Sequence, residues 1–139
     1  MRFDGRKALV TGGTRGIGLA IARQLENLGA EVIAWGHEVD VRYESDVKAA
    51  MPKVDICVNS AGIFGPVGSA LSYDTIEWDN VMAVNLRGTF HVCKHVIPHM
   101  VAQGYGRVVN LSSVVAKDTN PMCPAYTASK AGIVALTRC

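Results

Sequence analysis

Residues 7–18 read KALVTGGTRGIG. Lys7 to Thr11 is an almost unbroken apolar run of the kind expected for a strand covered on both faces. Glycines at 12, 16 and 18 follow in a GxxxGxG spacing, and Ile17, Ala20, Ile21, Leu25 and Leu28 then recur at three- and four-residue steps until Gly29. That is a strand, a glycine turn and a helix closed by a C-terminal glycine. Glycine-rich turns are common for conformational reasons alone. Between a strand and a helix, however, such a turn lets the backbone approach a pyrophosphate, whose charge meets free amides and the positive end of the helix. Gly12, Thr14, Arg15, Gly16, Ile17 and Gly18 are therefore candidate cofactor-binding residues.

Three further β-branched runs, Glu31 to Trp35, Asp55 to Asn59 and Arg107 to Leu111, read as strands. A helical region runs from near Thr75 to Gly104, with a kink expected near Asn85 and Pro98 inside it, and a last helix starts around Ala125. Short strands alternating with longer helices specify an α/β fold, a doubly wound parallel sheet in a single domain spanning residues 1–139. The last helix meets no capping residue before Cys139, so the chain is expected to lack its C-terminal part.

Composition narrows the function classes. With 49% of the 139 residues apolar and 19% charged, the chain is an ordered domain, not a tail or linker. The net charge of +2 comes from scattered residues and offers no phosphate-tracking stripe, so nucleic acid is not an expected partner. No apolar run is long enough for a membrane span, and a cytoplasmic location is expected. Cys57, Cys93, Cys123 and Cys139 show no CxxC spacing and read as reduced thiols. His91, His95 and His99 fall at steps of four, but Pro98 interrupts them and no carboxylate or cysteine cluster accompanies them, so no metal site is expected.

Further motifs follow the glycine turn in order: Asn59-Ser60-Ala61-Gly62, Asn85 within Val84-Asn85-Leu86-Arg87-Gly88, Ser113, and Tyr126-Thr127-Ala128-Ser129-Lys130. Serine stands 13 residues before the tyrosine, and lysine 4 after it. This ordered set resembles the short-chain dehydrogenases/reductases over essentially the whole chain. Four residues apart on a helix, Tyr126 and Lys130 share one face, and an ammonium beside a phenol favours the phenolate. Such a tyrosine can exchange the proton that accompanies hydride transfer between nicotinamide and a carbonyl or alcohol carbon. Ser113, favoured by spacing over its neighbour Ser112, would donate a hydrogen bond to the reacting oxygen. The resemblance implies a Rossmann-type fold, NAD(P) as cofactor, Lys130 on the nicotinamide ribose, Asn85 holding a proton-relay water, and Asn59, Ser60, Ala61 and Gly62 along the cofactor. It also implies a homo-oligomer acting on a small carbonyl or alcohol. Sugar dehydrogenases and 3-oxoacyl reductases are both similar in general look.

Cofactor choice turns on the end of the second strand, where an acid would accept from the adenine ribose and repel a 2′-phosphate. Trp35-Gly36-His37 offers none before Glu38, and Arg15 supplies positive charge, so NADP is expected over NAD, with His37 near the phosphate. Trp35 is either core or a crowding group there. Only four residues separate Trp35 from Asp40, although a parallel crossover needs about a dozen. The family's third strand and its helix are thus expected to be missing, leaving strand order 2-1-4-5 in the family's numbering, with Asp40 and Val41 facing the adenine. The alternative reading is a non-catalytic relative that binds dinucleotide or serves as an interaction module.

Overall fold

The structure is a computed structural model and describes residues 2–139. Its elements are β1 (Lys7–Thr11), α1 (Gly16–Asn27), β2 (Glu31–Trp35), α2 (Glu44–Ala50), β3 (Ile56–Asn59), α3 (Thr75–Met82), α4 (Gly88–Ala102), β4 (Arg107–Asn110) and α5 (Pro124–Thr137). All strand pairs are parallel, in the order β2-β1-β3-β4. In the family's numbering this is the expected order 2-1-4-5.

Alternation along β1 sends Leu9 to one face of the sheet and Ala8 and Val10 to the other. Leu9 packs with Trp35, Val47, Val54, Cys57, Val92, Val96 and Met100, so α2 and α4 cover that face. Ala8 and Val10 pack with Ala22, Leu25, Ile56 and Val58 beneath α1 on the other. Trp35 is only 5% exposed, which makes it chiefly a core residue.

The boundaries differ from the sequence expectation by a residue at several ends. β3 begins at Ile56, one residue later than expected, although the Asp55 amide still donates to the Lys7 carbonyl and its carboxylate accepts from the Arg6 guanidinium and the Lys7 amide. β4 ends at Asn110, although the Leu111 amide still donates to the Asn59 carbonyl. α5 begins at Pro124, where a proline in the first turn lacks only an amide that the helix leaves unpaired anyway. Its range runs to Thr137, with Arg138 at the C-cap position still in the helical region of backbone space.

No strand separates β2 from β3, as expected, but a seven-residue helix, α2, occupies the connection. Periodicity gave no sign of it, because Val47 is its one buried residue. Beside that one apolar contact, Glu44 accepts from Lys94 at 2.7 Å and from His95 at 2.9 Å on α4. These two partners hold the Glu44 carboxyl down at about 2. Because its folded value is depressed, this contribution to stability is present above the ordinary 4.5 and lost as pH falls toward 2. Glu44→Gln should therefore melt below the parent at neutral pH, and the two melting curves should converge on acidification through that window. A gap that stays constant with pH would remove the ion pairs from the account.

Candidate active site

β1 ends in Thr11, whose buried hydroxyl oxygen accepts from the Ser60 amide at 3.2 Å and the Ala61 amide at 3.1 Å. One side chain thus ties the glycine turn to the turn after β3. Sequence reading passed over it. Gly12 has φ +63°, and a Cβ there would stand 2.9 Å from the Ala61 Cα. At Gly18 a Cβ would land on the Gly12 carbonyl oxygen. The two turns can approach this closely only because neither glycine carries a side chain.

Above them α1 begins with Arg15 at its N-cap, without a side-chain cap and with no acid in the first turn. The amides that open this helix are therefore available to an anion, and the helix dipole favours one there. Since β2 and β3 lie on opposite sides of β1, the crevice at the carboxyl ends of the strands is the switch point of the sheet, where open α/β sheets bind ligands.

A cleft of about 580 Å³ occupies this position. It is lined by Gly12, Thr14, Arg15, Gly16, Ile17 and Gly18 from the turn, His37, Asp40 and Val41 from the β2–α2 connection, Ser60, Ala61 and Gly62 after β3, and Tyr126 and Lys130 of α5. Asn59, Asn85 and Ser113 do not line it. The Asn59 side chain is turned into the sheet, donating to the Asn110 side-chain oxygen at 2.8 Å.

Asn85 lies in a π-helical turn, Ala83–Arg87, that joins α3 to α4 and supplies the kink. Its amide oxygen accepts from the Ile63 amide at 2.8 Å, and its amide nitrogen donates to the Ile63 carbonyl at 2.9 Å and the Ser129 hydroxyl at 3.0 Å. Fully buried, it clamps the loop after β3 to α5.

Lys130 is 6% exposed and donates from Nζ to the Leu111 carbonyl at 2.7 Å. Burial pushes its ammonium below the usual lysine range. Nζ lies 5.7 Å from the centre of the Tyr126 ring, and Phe64 packs on that ring with centroids 4.8 Å apart. Ser112 lines the cleft, but its proton is committed to the Lys130 carbonyl at 2.8 Å. Ser113 Oγ accepts a long bond of 3.4 Å from the Val115 amide and donates to no described residue.

At the far end, Asp40 and Arg42 form a bidentate pair, closest at 2.6 Å, and Arg42 also donates to Asn80 at 3.1 Å. Arg42, Asn80 and Phe64 line the cleft and were not singled out by sequence, because their neighbours are brought in by folding and not by spacing. The histidines are held apart: His91 Nδ1 pairs with the Val41 carbonyl, and His95 Nε2 with Glu44. Among the described residues no group of three potential ligands could hold a metal ion, and no helix is long and apolar enough to cross a membrane.

The short chain dehydrogenase family matches residues 37–139. A curated relative, 2-dehydro-3-deoxy-L-rhamnonate dehydrogenase (NAD(+)) of Sphingomonas sp. (strain SKA58), is 35% identical over 99% of this chain and 65% of its own length. Its alignment runs over 162 positions, more than this chain's 139 residues, so the relative carries residues within the matched span that this chain lacks. An NAD+-bound xylitol dehydrogenase is similar in structure, with TM-score 0.92, 30% identity, and coverage of 99% of this chain and 64% of that one. A gluconate 5-dehydrogenase from Burkholderia cenocepacia J2315, in complex with NADP and tartrate, gives TM-score 0.85 at 30% identity, covering 99% of this chain and 65% of that one. The chain thus spans about two thirds of the length of such relatives, and it belongs to the short chain dehydrogenase family.

Proposed function

We propose that this cleft binds a nicotinamide dinucleotide, and that the protein transfers hydride between it and a small carbonyl compound or secondary alcohol, with Tyr126 as the acid/base. The carrying observation is that a glycine-lined helix N-terminus and the Tyr126–Lys130 pair border one continuous cleft. The residues present fit the cofactor: the Gly12 and Gly18 contacts leave room for a pyrophosphate against the α1 amides, and a buried ammonium stands at the opposite end. When bound, the nicotinamide supplies or accepts the hydride.

The chain's own groups would do the rest. Tyr126 exchanges a proton with the substrate oxygen, and Lys130 stabilises the phenolate and offers remaining donors to a ribose. Ser113, whose proton is uncommitted, donates to the same oxygen, whereas Ser112 is engaged in holding α5. Asn85 acts by fixing the Ile63 loop against Ser129, and its water-holding role stays an inference from family resemblance. Backbone groups at Ser60, Ala61 and Gly62, with Asp40 and Val41 toward the adenine, complete the cofactor side, whereas Asn59 is engaged within the sheet. Hydride transfer to a panel of sugar-acid and 3-oxoacyl ketones, followed by loss of reduced nicotinamide, tests the reading. Activity on none of them in a protein that binds the dinucleotide would favour a binding module.

The same reading carries a reducing, cytoplasmic setting, for which the four unpaired thiols are the support. It also carries a homo-oligomer. A groove between α3, α4 and α5 lined by Met82, Leu86, Phe90, Gly132 and Leu136 leaves apolar surface in need of cover, and β4 is an edge strand. Light scattering across a concentration series is expected to show association, and a monomer throughout would refute it.

A further inference from the structure

We infer that Glu38 makes this cleft select a dinucleotide with a free 2′-hydroxyl on its adenine ribose, NAD(H), over the 2′-phosphorylated NADP(H). The inference rests on the dinucleotide reading above and reverses the preference expected from sequence, which found no acid at residues 35–37.

With four residues between Trp35 and Asp40, the chain must turn back as soon as β2 ends. That turn folds Glu38 onto the strand end, where its Oε1 accepts from the Gly36 amide at 2.6 Å. Its Oε2 lies 2.7 Å from the point where a Gly36 Cβ would stand, and Thr14 Oγ1 lies 3.0 Å from the same point. The absence of a side chain at Gly36 admits the carboxylate beside Thr14. Both Gly36 and Thr14 line the cleft, so the charge stands where the end of β2 meets the glycine turn. In open α/β sheets this is where an acid two strands into the fold meets the ribose. Hydrogen bonds from the Gly36 amide and from its own amide hold the Glu38 carboxyl below its usual range, so it is ionised at neutral pH.

Oε2 has no hydrogen-bond partner among the described residues and can accept from a ribose hydroxyl. A phosphate dianion in that place meets like charge. The cations nearby do not offset this equally. The Arg42 guanidinium is bonded to the Asp40 carboxylate and to Asn80, which leaves Arg15, exposed and held by no ion pair among the described residues. Arg15 would have to be ordered from solvent to meet a phosphate, whereas a hydrogen bond already fixes Glu38 at the strand end.

The test is calorimetric titration of the chain with NADH and with NADPH, repeated for Glu38→Gln and for Arg15→Gln. Both side chains are exposed, so the variants should melt as the parent does. The expected result is NADH binding at least about ten-fold tighter than NADPH in the parent, with Glu38→Gln closing most of that gap by improving NADPH. NADPH binding as tightly as NADH in the parent would overturn the inference and leave the cleft assignment standing. So would a ratio that moves with Arg15→Gln and not with Glu38→Gln. Failure of both dinucleotides to bind would overturn the cleft assignment and the inference with it.

Discussion

Tyr126→Phe is expected to lower hydride transfer by about 10²–10⁴-fold while leaving dinucleotide affinity within about three-fold. The phenol oxygen is the group removed. The ring that packs on Phe64, and the helix that carries it, stay as they are. Lys130 keeps its bond to the Leu111 carbonyl, so the donors proposed for a ribose would stay in place. The two readouts therefore separate: steady-state oxidation or reduction collapses, and a binding titration barely moves. Retained turnover would mean that another group delivers the proton. A parallel loss of binding would mean that the phenol positions the cofactor and that the acid/base role belongs elsewhere.

Gly18→Ala is expected to weaken dinucleotide binding by at least about a hundred-fold and to destabilise the fold by roughly 1–3 kcal/mol. The added methyl would meet the Gly12 carbonyl oxygen and carbon, with the Ser60 hydroxyl 3.1 Å away. Backbone atoms cannot swing aside as the end of a flexible side chain can, so the turn itself has to open. Opening it pulls Gly12 from Ala61 and displaces the amides at the start of α1. Affinity and melting temperature should therefore fall together, in contrast to Tyr126→Phe, where only turnover falls. A Gly18→Ala protein that binds as the parent does would show that the pyrophosphate does not sit on this turn.

The sheet was legible because β1, β2 and β3 are apolar runs that must be covered on both faces, and the glycine turn because its neighbours are a strand and a helix. α2 was not legible, since a helix held by Glu44 against Lys94 and His95 leaves no apolar period. In the site, Tyr126 and Lys130 could be placed together by their spacing on one helix. The network that positions them could not, because Ile63, Asn85 and Ser129 come from three separate elements and meet only when the chain is folded. Glu38 shows the same limit at the other end of the cleft. Read along the chain it stands beyond the end of β2, and only the tight turn after Gly36 returns its carboxylate to the strand.

The central claim is that the cleft between the glycine turn and the Tyr126–Lys130 pair holds a nicotinamide dinucleotide. Trp35 lines this cleft, which gives a direct reporter: quenching of tryptophan fluorescence, with energy transfer to the reduced nicotinamide, as NADH is titrated into the chain. A saturable response at one site per chain is expected, kept in Tyr126→Phe and lost in Gly18→Ala. No saturable response with NADH or NADPH in a folded protein, or an undiminished one in Gly18→Ala, would contradict it.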